Sequence, residues 1–174
     1  LMNNILKLMK PDGVFVSESH YFLTLIQTLQ YDTIYHEHLR YYTVTSLKKI
    51  FKKYGLHIIK VKKIPTHGGS IRVYATKSKS YSTHKSLKLF LKEEKKSLNK
   101  KNLLLFKNGV IKSKINLLKI MNNIKTKNKI IMAIGAPSRA TTLVNYVGIN
   151  ESMIDCICEI KGSHKIGHYL PGTR

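Results

Sequence analysis

The stretch KPDGVFV, residues 10–16, decides how the first part of this chain folds. Its Pro-Asp-Gly triplet is typical of a turn, and it ends a preceding helix in which Ile5, Leu8 and Met9 recur at helical spacing. The apolar VFV at residues 14–16 then predicts a short buried strand. The chain therefore begins with a helix, a tight turn and a strand.

Two further helices are predicted before the next strand. An amphipathic patch at residues 21–29 indicates a short helix that leads into a polar loop. The second helix has Thr43 or Thr45 as its N-cap. It ends at Gly55, because glycine readily adopts the left-handed conformation that terminates helices.

Two strands are predicted after this helix, at residues 56–61 and 70–75. The connection between them, residues 62–69, contains Pro65 and a pair of glycines, which suits a hairpin loop. The alternation of helices and strands up to this point indicates an α/β fold.

The composition changes between residues 77 and 129, where Lys, Ser and Asn dominate and apolar residues recur at helical spacing. We interpret this segment as helices with a solvated lysine face. A strand at 129–134, a GAPS turn at 135–138, a helix at 139–146 and a strand at 154–160 follow. This order predicts a βαβ unit, and the N-terminus of its helix is a natural anion site. The turn lacks the spaced glycines of a dinucleotide fingerprint.

The chain has 174 residues, 43% of them hydrophobic, and a formal net charge of +22 at pH 7. The apolar content is that of a globular protein. Apart from Arg40, Arg72, Arg139 and Arg174, the basic residues are lysines spread over nearly the whole length. A polynucleotide needs a continuous basic stripe, and none is evident. We therefore interpret the charge mainly as a solvated surface and leave anion binding as the alternative.

The sequence contains neither a long apolar run nor a signal peptide, and it has two cysteines. No apolar run approaches the roughly 18 to 20 residues that span a bilayer, and the N-terminus has no signal-peptide layout. We expect a cytoplasmic protein without a membrane partner.

Cys156 and Cys158 alternate along a predicted strand, where a disulfide between them is geometrically poor. We expect both to face the core, with a metal or redox role as the alternative.

A dense run of proton-handling side chains, YDTIYHEH, occupies the polar loop at residues 31–38. Tyr35, His36, Glu37 and His38 can each donate or accept a proton, and imidazoles titrate near neutral pH. Neighbouring side chains of an extended backbone point apart, so we expect His36 to be structural. Asp32 is expected to turn or cap the loop. A metal site at the two histidines is a minor alternative, because no further ligand cluster accompanies them.

Several segments together resemble the sugar C-methyltransferases, which add a methyl group to a nucleotide-linked keto-deoxyhexose. They are KPDGVFV at 10–16, YDTIYHEHL at 31–39, HGGSIRV at 67–73, GAPSR at 135–139, TLVNY at 142–146 and GHYLPGT at 167–173. The resemblance implies an α/β fold that contains the last third of a class I methyltransferase sheet, which is Rossmann-like. In that sheet the fifth strand precedes the substrate loop and a closing hairpin follows.

The resemblance also implies a division of the chain and two cofactors. Residues 1–78 would be the C-terminal part of the methyltransferase domain with its substrate loop, 79–128 connecting helices, and 129–174 a truncated Rossmann-like domain. Members of the family bind S-adenosylmethionine at a Gly-rich turn and zinc in an N-terminal domain. Neither motif occurs here, so we expect a fragment that binds S-adenosylmethionine mainly through residues outside this chain and is inactive alone.

The family's reaction assigns roles to the loop. A base removes a proton beside a ketone, and the carbon of the resulting enolate attacks the methyl group. The resemblance implies that His38 is this base. Glu37 and Tyr35 match the other functional positions, where Glu37 could orient an imidazole and Tyr35 could hydrogen-bond the sugar.

Substrate contacts are expected from two other segments. They are His67, Gly68, Gly69, Ser70 and Arg72 in the hairpin, and Gly135, Ala136, Pro137, Ser138, Arg139 and Asn145 in the βαβ unit. The hairpin residues could equally form only a turn, whereas Arg139 is the preferred contact for a diphosphate. The alternative function is a non-catalytic basic module that binds a nucleotide-sugar or, less favoured, nucleic acid.

Overall fold

The computed structural model describes residues 1–173. These residues form two compact units, which we call unit 1 and unit 2. Unit 1 comprises Leu1–Thr28 and Arg40–Leu104, and unit 2 comprises Leu29–Leu39 and Leu105–Arg174. The polar loop at residues 31–38, which we call the YHEH loop, therefore belongs to the same unit as the C-terminal residues and not to the unit of the strand that precedes it in sequence.

Unit 1 is a three-stranded sheet with helices. Its elements are α1 Met2–Leu8, β1 Val14–His20, α2 Phe22–Gln27, α3 Val44–Lys53, β2 His57–Ile64, β3 Ser70–Thr76 and α4 Ser86–Ser97. The strand order is β1-β3-β2, with β3 antiparallel to both neighbours. Alternate residues of β3, Ile71, Val73 and Ala75, are fully buried, so one face of this strand forms the core. The closing hairpin predicted after the loop is confirmed.

Strand β1 is longer and more exposed than the sequence predicts. Val14 is 38% exposed and Val16 is 47% exposed, so the prediction of a buried strand is wrong for these residues. Among the described residues β1 pairs only with β3, and it lies at the edge of the sheet. Phe15 points the other way and packs edge-on against Phe51 of α3, with ring centroids 5.8 Å apart.

Helix α3 is capped at both ends as its sequence predicts. Thr43 is the N-cap, and it forms a capping box with Ser46: the Ser46 amide donates to Thr43 Oγ1 at 2.9 Å, and the Thr43 amide donates to Ser46 Oγ at 3.0 Å. Gly55 follows the helix with φ of 71°. This resolves the choice between Thr43 and Thr45 in favour of Thr43.

Unit 2 contains the predicted βαβ unit. Its elements are β4 Met132–Ile134, α6 Ser138–Val147 and β5 Cys156–Cys158, and α5 Lys100–Lys125 leads into it. Strands β4 and β5 are parallel and pair over three residues each, so both are shorter than predicted. Met121, Val144, Val147 and Ile149 form the buried core. Gly148 ends α6 with φ of 82°.

The sequence predicts that both cysteines face the core, and this prediction is wrong. Cys156 and Cys158 lie on β5 as free thiols, and both are exposed. The reason is that β5 belongs to a two-stranded sheet in the described residues, and every residue of β5 is exposed. Partial loss of solvent contact nevertheless raises the pKa of the Cys156 thiol, and the neighbouring Cys158 thiol is the next cause.

The predicted connecting segment at 79–128 contains helices α4 and α5. Helix α4 belongs to unit 1, whereas most of α5 belongs to unit 2. The three-part division of the chain remains a prediction. Within residues 1–173, no helix combines the length and the apolar character needed to cross a membrane.

Candidate active site

The loop at residues 31–38 consists of two successive turns. A 3₁₀ turn over Tyr31–Thr33 comes first, and the Thr33 hydroxyl donates to the Gln30 carbonyl at 2.8 Å. A second turn follows, closed by the His38 amide donating to the Tyr35 carbonyl at 3.0 Å. Thr33 is only 2% exposed, so the first turn gives the loop a fixed base.

The first turn orients the imidazole of His38. His38 Nδ1 lies 3.1 Å from the Thr33 carbonyl oxygen. A carbonyl oxygen can only accept, so Nδ1 carries the proton and the neutral ring has its lone pair on Nε2. This tautomer is the one required if Nε2 is to take a proton from another molecule.

Tyr35 connects Glu37 to His38. Its hydroxyl lies 3.2 Å from Glu37 Oε2 and 3.4 Å from His38 Nε2, and the Tyr35 and His38 rings are 4.5 Å apart between centroids. Burial and, second, the charge of Glu37 raise the pKa of the Tyr35 phenol. The phenol therefore stays protonated at neutral pH and can donate its single proton to only one neighbour at a time.

The extended backbone assumed for residues 35–38 is wrong, whereas the expectation that His36 is structural remains a prediction. Because residues 35–38 form a turn, His36 lines the same cavity as Tyr35. Its Nε2 lies 3.8 Å from Glu37 Oε1, and its side chain is highly exposed. His38, whose Nε2 lies 3.4 Å from the Tyr35 hydroxyl, does not line this cavity.

The cavity of about 1030 Å³ lies in unit 2, where the turns after β4 and β5 meet. Four of the predicted substrate residues line it: Ala136, Pro137, Ser138 and Asn145. Gly135 and Arg139 line a second cavity instead. The guanidinium of Arg139, predicted to bind a diphosphate, is paired with Asp32: Nη2 and Nε lie 2.6 and 2.7 Å from Asp32 Oδ2. Substrate contact by these residues remains a prediction.

Sequence reasoning missed several polar residues of this cavity, among them Glu159, His164, Lys165 and His168. Glu159 directly follows β5, and its Oε1 accepts a hydrogen bond from the Ala136 amide at 2.7 Å. That bond, then one from Ser163 and the charge of Lys165, hold the pKa of Glu159 below its ordinary value despite some burial. An acidic residue after the second strand of a βαβ unit is a known signal for ribose binding, and this signal could have found Glu159.

The predicted hairpin residues form a cluster of their own in unit 1. His67 has φ of 51°, uncommon for a residue other than glycine, and its carbonyl accepts from His20 Nε2 at 2.5 Å. Arg72 pairs with Glu18 at 2.7 Å between Nη2 and Oε2, and Thr66 also donates to Glu18. Ser70 is buried. These contacts account for a turn, and a substrate role for His67, Gly68, Gly69, Ser70 and Arg72 remains a prediction.

Gly69 packs directly against Thr24, because a Cβ at this position would lie 2.5 Å from Thr24 Cγ2. We assign no residue of the chain to S-adenosylmethionine. Likewise, residues 1–173 contain no group of three or more His, Cys, Asp or Glu side chains placed to hold a metal ion, so the zinc implied by the resemblance has no support here.

Known proteins match the chain over both units. Residues 65–174 match the C-methyltransferase C-terminal domain, and residues 1–61 match a methyltransferase domain. The chain belongs to the C-methyltransferase family, which confirms the resemblance. One curated relative, C-methyltransferase NovU of Streptomyces niveus, is 27% identical in an alignment of 177 positions that covers 100% of this chain and 42% of the relative. The chain thus spans about two fifths of that relative's length.

Proposed function

We propose that the protein containing these residues transfers a methyl group from S-adenosylmethionine to a carbon of a nucleotide-linked keto-deoxysugar, through an enolate. Family membership supports the reaction class. One observation carries the mechanism: the Thr33 carbonyl holds Nδ1 of His38, which leaves Nε2 as a base beside Tyr35 and Glu37.

In this mechanism His38 Nε2 takes the proton from the carbon next to the ketone. The electron pair of the broken C–H bond moves into the enolate, whose negative charge falls on oxygen. Tyr35 is protonated at neutral pH and can donate a hydrogen bond to that oxygen. Glu37 provides a negative charge near the imidazolium that forms, with Tyr35 between them. S-adenosylmethionine supplies the methyl group when it is bound.

We place the nucleotide part of the substrate in the cavity lined by Tyr35. Its position at the carboxyl ends of two parallel strands is where α/β sheets bind ligands. Lys165, His164 and His168 supply groups that suit a diphosphate, and Glu159 suits a sugar hydroxyl. Ser138 and Asn145, predicted from the sequence, line the same space.

The test is His38→Ala in the protein expressed from its complete gene, assayed with a dTDP-linked keto-deoxyhexose. Loss of a general base lowers turnover by about 10² to 10⁴-fold, and S-adenosylmethionine affinity, measured by calorimetry, stays unchanged. The matched control is His84→Gln, an exposed histidine of unit 1 that hydrogen-bonds the Ser86 amide. Unchanged turnover in His38→Ala would remove His38 from the mechanism.

The 174-residue chain provides a second test, because we propose that it lacks the main cofactor contacts. Calorimetry with the isolated chain is expected to show no tight binding of S-adenosylmethionine. Micromolar affinity would contradict this part of the proposal.

A further inference from the structure

We propose that helix α6 positions the base-bearing loop, and that Arg139 acts through Asp32 as a positioning residue for His38. This inference rests on the proposed role of His38 as the base. All the groups concerned lie in unit 2.

One stripe of α6 holds the loop at three successive points. Arg139 pairs with Asp32, the Thr142 hydroxyl donates to the Ile34 carbonyl at 2.8 Å, and the Tyr146 ring packs against Tyr31 with centroids 5.3 Å apart. Positions 139, 142 and 146 are three and four residues apart, so they share one face of the helix. The loop is therefore attached to a rigid element along its length.

The ion pair acts on the residue that orients the base. Asp32 is the central residue of the 3₁₀ turn, and the next residue, Thr33, provides the carbonyl that accepts from His38 Nδ1. Displacement of Asp32 is expected to move this carbonyl, because Asp32 and Thr33 are adjacent residues of the same tight turn. Arg139 therefore controls both the position of His38 and which ring nitrogen carries the proton.

The geometry favours arginine over lysine at position 139. Two nitrogens of the guanidinium, Nε and Nη2, converge on a single oxygen of Asp32, at 2.7 and 2.6 Å. A planar fork fixes direction as well as distance, which an ammonium group does not. The Asp32 carboxylate is the less exposed partner, with 23% of its side chain accessible, so the pair is partly shielded from solvent.

The competing role for Arg139 is direct contact with a substrate diphosphate, and the two roles predict different behaviour of Asp32. If Arg139 binds substrate, its loss raises KM, and Asp32→Asn leaves kcat intact. If Arg139 positions the loop, both Asp32→Asn and Arg139→Gln lower kcat with little change in KM. The double variant is then no worse than either single variant, since both remove the same contact.

The first experiment needs no substrate. In the chain labelled with ¹⁵N-histidine, the imidazole signals of His38 report the tautomer, and they are assigned by their absence from His38→Gln. We expect the Nδ1-protonated form in the unaltered chain and a mixture of tautomers in Asp32→Asn and Arg139→Gln. Arg139→Lys keeps the charge and is expected to give an intermediate result.

A matched control is Asp155→Asn, which removes another ion pair of unit 2. Its partner Lys125 lies at 2.6 Å, and the exposure of this pair is similar. This control is expected to leave the His38 signals unchanged. An unchanged tautomer in both Asp32→Asn and Arg139→Gln overturns the proposal, and so does the same disturbance in Asp155→Asn.

The second experiment uses the protein expressed from its complete gene. We expect kcat to fall about tenfold to a hundredfold in Asp32→Asn and Arg139→Gln, the range associated with misplacing a reacting group by about 1 Å. A rise in KM alone in Arg139→Gln, with Asp32→Asn normal, would assign Arg139 to the substrate. If the protein does not methylate sugars at all, the proposed function fails, but the tautomer measurement still decides the positioning role.

Discussion

Replacing Glu94 with glutamine is the perturbation whose effect on stability the structure defines most sharply. Glu94 lies on α4 and is only 2% exposed. Its carboxylate accepts hydrogen bonds at the N-terminus of α3 from the Val44 amide at 2.5 Å, the Thr45 amide at 2.8 Å and the Thr45 hydroxyl at 2.5 Å. It thus satisfies two amides that have no partner within the helix.

Glutamine has the same shape but only one acceptor oxygen, and its amide NH₂ group would face a donor. At least one bond is lost, and the others lose the assistance of the charge. A hydrogen bond to a charged group contributes about 1.5 to 3 kcal/mol, and leaving a buried donor unpaired costs a similar amount. We therefore expect Glu94→Gln to lower the free energy of unfolding by roughly 2 to 4 kcal/mol, a large share of the stability of a typical domain.

Urea unfolding followed by circular dichroism measures this change. Glu93→Gln is the matched control, because it makes the same chemical change one residue away at an exposed position. The control should stay within about 0.5 kcal/mol of the unaltered chain. Equal stability of the two variants would refute the argument that Glu94 caps α3.

Three further predictions concern single residues. Tyr35→Phe removes the hydroxyl between Glu37 and His38, so kcat of the complete enzyme should fall while circular dichroism stays unchanged; normal kcat would exclude a role for the hydroxyl. Gly148→Ala should cost about 1 kcal/mol in urea unfolding, because φ is 82° and no atom within 4 Å obstructs a Cβ; an unchanged midpoint would count against backbone strain. Hydrogen bonding to Arg72 lowers the pKa of Glu18 below its ordinary value, so the stabilisation from this pair is present above that ordinary pKa and is lost as the pH falls through the lowered pKa. Glu18→Gln should accordingly be less stable than the unaltered chain near neutral pH and should converge with it in acid; a constant difference across that range would contradict the linkage.

The sequence predicts the local elements well where the signals are local. Thr43 and Gly55 mark the two ends of α3 through their own side-chain and backbone chemistry, and the structure places them there. The sequence predicts poorly which strand residues are exposed. Val14, Cys156 and Cys158 are apolar residues in strand patterns, yet they are exposed because burial depends on which strands and helices lie alongside.

The sequence also predicts the residue types of the candidate site better than their arrangement in space. Sequence identified the residues of the YHEH loop as proton-handling groups, but the extended backbone assumed for it is wrong. The turn at residues 35–38 depends on hydrogen bonds within the loop and on its attachment to α6. Lys165 and His168 were missed because no local pattern indicates that these residues line a cavity with Tyr35. Glu159 did have a positional signal, since it is an acidic residue directly after the second strand of the βαβ unit.

By itself, the sequence determined the α/β class, the family and the chemical repertoire of the loop, because these depend on residue types, their order and short-range spacing. Only the tertiary structure decided that Arg139 pairs with Asp32 and that Glu94 caps α3. Those pairs are separated by 107 and about 50 residues along the chain. Contacts at such separations depend on how elements pack, and no periodicity or motif in the sequence encodes them.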